Sequence, residues 1–561
     1  MTVFHLKNRN MPAEAFAELK NILTYEITER KCKVMRRNEG AITLEFAVDS
    51  RMKADSYRVV KKDDGSYVVS ANNTVTVFAG VGRFLVLSVF DGKGGFTPAA
   101  CPISHKMKKS IRGIYLATHF YNFHHNAPIE LECRHVLEQA LRGFNAVMLC
   151  LAPQHYTSFE TPEALEMIAR LKQQLAIAKK IGMSTALVGF SNTGFSDFKN
   201  AAQFKMDESG RYQRDITAEF LTEVCPSLPT GYEEIEDLQR QFLSAFRDTD
   251  LDYIYLWPWD EGGCLCEKCY PWTTNGFMKC ADMVRRILKE YGMKTQLCIS
   301  TWHFGNQMPD EWENFWKHLA AGEYSWAPYV MVSFQSTKPD NVLRDNAIPE
   351  GVKFVDFPEI SMQNPAKPWG GYGATPFPMY LNNLEEYTGY LNDGGYLYSE
   401  GIYEDVNKFI CAGFYCGYYT DANEAMRDYF RFEFGIEDRE AQNELIRASE
   451  LMETTHRKNF SAPADGTPWT FGPRFGNPVP ETKRIIDRID KTVGNPWKNS
   501  WKWRLYVIRA NVEAEIINSW RRDGTLTLKN SEIAQNYLRE LWDISCCCEK
   551  TKLAVYVPVG K

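Results

Sequence analysis

Apolar positions recur in three successive patterns along this chain, and the changes between them divide it. Residues 1–110 mix helix and strand periods. Residues 12–28 carry Ala15, Leu19, Ile22 and Leu23 on one helical side, 41–47 alternate as a strand, and 76–89 are helical again. Residues 56–60 and 66–71 flank Lys-Lys-Asp-Asp-Gly, which predicts a hairpin. From residue 111 to about 422, short apolar runs alternate with helical stretches, the signature of parallel βα units. The strand candidates are 111–117, 146–151, 185–190, 253–257, 295–300, 330–334, 353–357 and 395–399. They predict an α/β fold, a (β/α)8 TIM barrel between an N-terminal α/β module and a C-terminal helical domain. The helix between the sixth and seventh strands reads short or absent. Residues 423–561 read as helical, with Trp501, Leu505, Ile508, Val512 and Ile516 on one face.

A barrel of this kind places its active site at the C-terminal strand ends. Here those ends are rich in ionisable and aromatic groups. The first runs into Thr-His119-Phe-Tyr-Asn-Phe-His-His, the second into Pro-Gln-His155-Tyr, and the fourth into Trp257-Pro-Trp259-Asp260-Glu261-Gly-Gly. The fifth ends in Trp302-His303, the seventh in Pro-Glu359 and the eighth in Ser-Glu400-Gly. Glycosidic bonds are commonly cut by two carboxyl groups, one of which protonates the leaving oxygen. Asp260, Glu261, Glu359 and Glu400 are the candidates. Aromatic neighbours would desolvate a carboxyl and raise its pKa, as a general acid requires. Glu261 is expected to be that acid. Asp260 points the other way if the chain stays extended, and either orients the substrate or fixes the acid. Glu359 is favoured as the second carboxylate, with Glu400 next. His119, His155 and His303 are expected to bind sugar hydroxyls or a uronate carboxylate. Trp259, Trp302 and Trp369 are candidate stacking rings, and Tyr372 lies in the glycine-rich stretch after Trp369. The competing structural readings are helix caps, loop salt bridges, satisfied core histidines and core rings.

Composition narrows the partners. The net charge is −6 with no evident basic face, which argues against nucleic acid. Aromatic residues make up 13% of the chain, in keeping with sugar faces stacked on rings. No apolar run has the length of a membrane span, and the N-terminus lacks the apolar core of a signal peptide. Fifteen cysteines in that setting imply reduced thiols and a cytoplasmic location. The oligomeric state is left open, a homodimer included.

Several motifs resemble known glycosidases. Residues 1–110, through Ala-Asp-Ser-Tyr-Arg-Val-Val and Ala79-Gly-Val-Gly-Arg-Phe-Leu, are similar to the non-catalytic module before the barrel in family 20 β-hexosaminidases and family 67 α-glucuronidases. Ile111-Arg112-Gly113 followed by an apolar strand and His119-Phe120 resembles the family 20 barrel opening. The resemblance implies that Arg112 binds hydroxyls of the terminal sugar. Asp260-Glu261 resembles the family 20 pair, in which the Glu is the acid and the Asp orients the acetamido group. The chain departs from that family in having Leu256-Trp-Pro-Trp before the pair, where family 20 has His-x-Gly-Gly. Gly262-Gly-Cys-Leu-Cys-Glu-Lys-Cys269 instead looks like bacterial relatives of the α-glucuronidases. The implied function is exo-cleavage of a terminal N-acetylhexosamine or uronic acid from an oligosaccharide or glycoconjugate.

Cys264, Cys266 and Cys269 form C-x-C-x2-C, and Cys280 follows eleven positions later. Thiolates this close suit a tetrahedral structural zinc that pins the loop after the fourth strand; free thiols are the alternative. No cofactor is expected for catalysis. Two other function classes fit the same pattern. One is a barrel that binds sugar without cutting it. The other is a metal-dependent hydrolase or isomerase built on the strand-end histidines, since this fold hosts many chemistries.

Overall fold

The computed structural model describes residues 1–35, 40–198, 222–258, 263–302, 304, 310–332, 346, 348–360, 372–457, 478–523 and 531–548. The N-terminal module is a sheet of order β2-β1-β3-β5-β4-β8. Its strands are β1 (Val3–Asn8), β2 (Lys33–Met35), β3 (Ile42–Val48), β4 (Ser56–Lys61), β5 (Tyr67–Ala71) and β8 (Ile103–Lys106); β6 (Val89–Phe90) and β7 (Phe96–Thr97) form a separate pair. The expected hairpin is β4–β5, paired antiparallel. β1 lies inside the sheet, between β2 and β3. Phe4 and Leu6 alternate with His5 and Lys7 and are its buried positions, a run too short to stand out, and parallel neighbours on both sides supply its pairing.

The helix Thr74–Leu87 is capped by Asn73, whose side chain accepts from the Thr76 amide at 2.9 Å. It lies on the barrel helix Ile129–Arg142, and Gly82 makes the approach possible: a Cβ there would stand 1.8 Å from the Leu141 carbonyl oxygen. That obstacle is backbone and cannot rotate away. Gly82→Ala is expected to destabilise the chain by at least about 1–3 kcal/mol. Urea unfolding would read this, with earlier proteolytic release of residues 1–110.

The eight expected barrel strands form a closed parallel barrel. They are β9 (Ile111–Leu116), β10 (Ala146–Cys150), β11 (Ser184–Phe190), β12 (Tyr253–Trp257), β13 (Gln296–Ser300), β14 (Val330–Val332), β15 (Phe354–Asp356) and β16 (Gly394–Ser399). β16 closes on β9, with Gly394 opposite Ile111 and Ser399 opposite Leu116. Helices such as Ala422–Phe434, Arg439–Arg457, Pro478–Asp490, Trp501–Asp523 and Glu532–Ile544 follow the barrel.

A buried ionic cluster ties these three parts together. Among the described residues it contains Glu26 and Arg30 of the module, Glu138, Arg142 and Asp405 of the barrel helices, and Glu433 and Lys502 of the C-terminal helices. Lys502 lies 2.7 Å from Glu433 and 3.7 Å from Glu138. Arg142 lies 2.8 Å from Asp405, and Arg30 3.2 Å from Glu433. Four carboxyls thus face three cations, while the adjacent Lys408–Glu404 pair is balanced. One carboxyl is in excess and keeps its proton most easily. Burial pushes Glu138 up to about 7, whereas Asp405, beside Arg142 and Lys502, is held well below the usual range despite its burial.

Candidate active site

Strand parity decides which side chains reach the barrel interior. On β9, Ile111, Tyr115 and then Ala117 pack inside, while Ile114 and Leu116 pack outward against the helices. The same alternation turns Tyr255 and Trp257 of β12, Phe357 after β15, and Tyr396 and Tyr398 of β16 inward. Near the C-terminal end these rings form a continuous wall. Tyr115 stacks on Tyr398 at 5.4 Å between centroids and meets Phe357 edge-on at 5.3 Å. Phe357 also meets Trp257 at 5.1 Å and Trp302 at 5.7 Å. Trp302 is only half-buried, so its ring is within reach of a ligand.

Two carboxylates continue the inward parity beyond the last turns of β15 and β16. Glu359 bridges to Tyr398 in parallel fashion, and the Tyr398 hydroxyl donates to Glu400 Oε1 at 2.9 Å. Burial first, then the charges of Glu400, Tyr115 and Glu359, holds that hydroxyl well above the ordinary phenol range. It therefore stays protonated and acts as a donor to Glu400. Glu400 is buried and Glu359 half-buried. His119 belongs to the same wall, with Nδ1 3.4 Å from the Tyr115 hydroxyl and its ring against Phe120. His155 stands further out and stacks with Tyr121 at 5.7 Å.

Behind Glu400 a buried polar layer holds the backbone. The Ser399 hydroxyl donates to Glu404 Oε1 at 2.6 Å and lies 3.0 Å from His124 Nε2. The Gly401 amide donates to the same Glu404 oxygen at 3.1 Å, and the Gly401 carbonyl accepts from Lys408 at 2.5 Å. His124 in turn faces Glu132 at 3.2 Å. Both neighbours of Glu400 are thus pinned by Glu404.

Two sequence expectations are corrected. Arg112 has the outward parity and lies near the N-terminal end of β9. Its guanidinium donates to the Gly143 and Lys109 carbonyls and faces Asp55, leaving 1% of the residue exposed. It anchors the base of the barrel and does not reach the mouth. Tyr372 is fully buried beside Arg509 and Glu513 of the C-terminal helices, in a contact where Arg509 also donates to the Ala374 carbonyl. It packs an interdomain seam instead of lining a cleft. Trp259, Asp260, Glu261, His303 and Trp369 lie outside the described residues. Tyr115, Phe357, Tyr398 and the Ser399–Glu404 layer were not anticipated. The alternation of each strand, carried through to its last residue, is the signal that marks the three rings.

The cysteine expectation changes by one member. The Sγ atoms of Cys225, Cys264, Cys266 and Cys269 all lie within 4.8 Å of one another, a buried group able to coordinate a metal ion. Cys280 is not part of it; it is buried in the core face of helix Gly276–Glu290. Cys225 arrives from the segment before helix Pro229–Ala245, a tertiary contact that local spacing could not reveal.

No family model and no curated protein matches this chain. Solved structures do. The chain is similar to a family 115 4-O-methyl-α-glucuronidase with specificity for decorated arabinogalactans, with a TM-score of 0.61, 10% identity, and coverage of 98% of this chain and 78% of that one. What the two share is the fold, a closed parallel eight-stranded barrel in this chain. A family 89 glycoside hydrolase from Clostridium perfringens, solved with its substrate GlcNAc-α-1,4-galactose, superposes with a TM-score of 0.56 at 14% identity over 95% of this chain. This chain spans 64% of that enzyme's length. A family 20 exo-β-N-acetylglucosaminidase from Vibrio harveyi matches with a TM-score of 0.51 at 13% identity, covering 77% of this chain and 74% of its own. The closed barrel is flanked, as the sequence pattern predicts, by an α/β module and a helical region. Among the described residues, no helix is long and apolar enough to cross a membrane.

Proposed function

We propose that the chain is an exo-acting glycoside hydrolase that removes a terminal N-acetylhexosamine or uronic acid from an oligosaccharide or glycoconjugate. The observation that carries this reading is the pair Glu359 and Glu400, both on the inward parity after β15 and β16, where an aromatic wall lines the barrel and the Tyr398 hydroxyl donates to Glu400. Two carboxyl groups in one ring-lined cleft are what glycoside cleavage needs. Glu359, the more exposed of the two, serves as the second carboxylate. Glu400 shares the Tyr398 proton and holds a sugar hydroxyl. Glu261, four positions after β12 along the sequence, is the general acid, with Asp260 orienting the substrate or fixing the acid. His119 and His155 contact sugar hydroxyls. Similar structures that act on a GlcNAc-terminated disaccharide and on 4-O-methyl-glucuronide linkages lend the sugar classes their support. A cytoplasmic setting belongs to the same reading and rests on the fifteen cysteines, a content that suits reduced thiols.

The test is a panel of aryl glycosides that includes N-acetylhexosaminides and uronides, with proton NMR of the first anomer released. Turnover of one class with a single anomeric outcome is expected. Binding of sugars with no turnover of any member would leave a binding barrel instead. Trp302→Ala is expected to raise KM about tenfold with little change in kcat, the loss of roughly 1.4 kcal/mol of ring contact. Initial-rate kinetics separate the two constants.

A further inference from the structure

We infer that Cys225, Cys264, Cys266 and Cys269 hold a zinc ion that clips the loop after β11 to the loop after β12. A tetrahedral site with Zn–S bonds of about 2.3 Å has sulfur–sulfur edges of about 3.8 Å. Cys225 Sγ stands 3.8 Å from the sulfurs of both Cys266 and Cys269, and all four sulfurs lie within 4.8 Å of one another. That spacing is too long for a disulfide and is the one a shared ion imposes. Four thiolates satisfy zinc with no position left for water, so the site is structural and does not take part in the reaction. The Ser227 hydroxyl lies 3.1 Å from Cys269 Sγ and is placed to donate to that thiolate. On loading, four thiols release four protons to solvent and zinc takes the four sulfur lone pairs.

The ligands come from two different loops. The Cys225 strand is paired to the end of β11: the Val224 amide donates to the Asn192 carbonyl, and the Gly194 amide to the Thr222 carbonyl. The other three ligands sit on a turn closed by the Cys269 and Tyr270 amides, which both donate to the Cys266 carbonyl. Gly263, next to Cys264, lies against the Trp272 ring so closely that a Cβ would stand 1.8 Å from it. The ion therefore fixes the chain three residues after Glu261. That last consequence rests on the glycosidase reading, whereas occupancy of the site does not, so metal content and turnover fail separately.

The test uses the full chain purified from zinc-supplemented cells. Elemental analysis is expected to give one zinc per chain. Cys225→Ser is expected to lose it, and Cys280→Ser is expected to keep it. If Cys225→Ser does not fold, exchange of cobalt into the wild type gives the second reading: thiolate-to-cobalt charge transfer and intense tetrahedral d–d bands are expected. A metal-free chain whose four thiols alkylate freely would overturn the proposal. So would stoichiometric iron in place of zinc, or loss of zinc from Cys280→Ser alone.

Discussion

Glu359→Gln is expected to lower kcat by about 10²–10⁴-fold on every glycoside the chain accepts. The amide keeps the volume of the side chain, so thermal unfolding is expected to change little. Loss of turnover would then report the missing charge. The comparison with Glu261→Gln makes this specific. A general acid matters only when the leaving group needs a proton, so Glu261→Gln is expected to cost about 10²–10⁴-fold on natural linkages and little on dinitrophenyl glycosides. Glu359→Gln should lose both alike, because attack on the anomeric carbon is impaired whatever leaves. If Glu359→Gln raises KM alone, the substrate's own acetamido group performs the attack and Glu359 binds a hydroxyl. Glu359→Gln leaving both constants unchanged would remove the residue from the mechanism.

Lys502→Met is expected to be the most damaging substitution away from the barrel mouth. Lys502 is 6% exposed and held by Glu433, Glu138 and Asp405, whose charges keep its pKa above the ordinary lysine value despite burial. Removing it leaves four carboxyls with two cations, and uncompensated charge in such a site costs about 3–5 kcal/mol. The pH dependence follows from the same groups. Glu138 has a folded pKa of about 7, raised above its unfolded value near ~4.3, so its ionisation opposes folding as pH rises through that interval. Below it, the proton is present in both states and the penalty vanishes. Asp405 runs the other way, stabilising above its unfolded pKa and losing that contribution as pH falls. In the variant the excess carboxyls take up protons more readily. Its deficit is therefore expected to be largest near pH 8 and smaller near pH 5.5, read from urea unfolding at both values. An equal deficit at both would show that Lys502 acts through packing alone.

How much was legible beforehand depended on the range of each interaction. The barrel strands are apolar runs buried on both faces between helices of regular period, and both signals are local, so all eight strands were readable. Glu359 and Glu400 were readable for the same reason, as acids directly after strand ends. Arg112 misled because its motif resembles a sugar-binding opening, whereas its parity and its place at the start of β9 send the guanidinium to the Gly143 carbonyl. Tyr372 misled because a glycine-rich stretch suggests an open loop, and only the docking of the C-terminal helices buries it.

The sequence by itself determined the order of elements and the acids at the strand ends, because periodicity and strand termination act over a few residues. The tertiary structure alone decided which of those groups meet. Strand pairing in the barrel sets the Glu359 backbone beside Tyr398, whose hydroxyl donates to Glu400, and the folding of one βα loop against the next exchanges Cys280 for Cys225. Contacts between residues distant along the chain are set by packing and charge compensation across elements, and no local spacing encodes them.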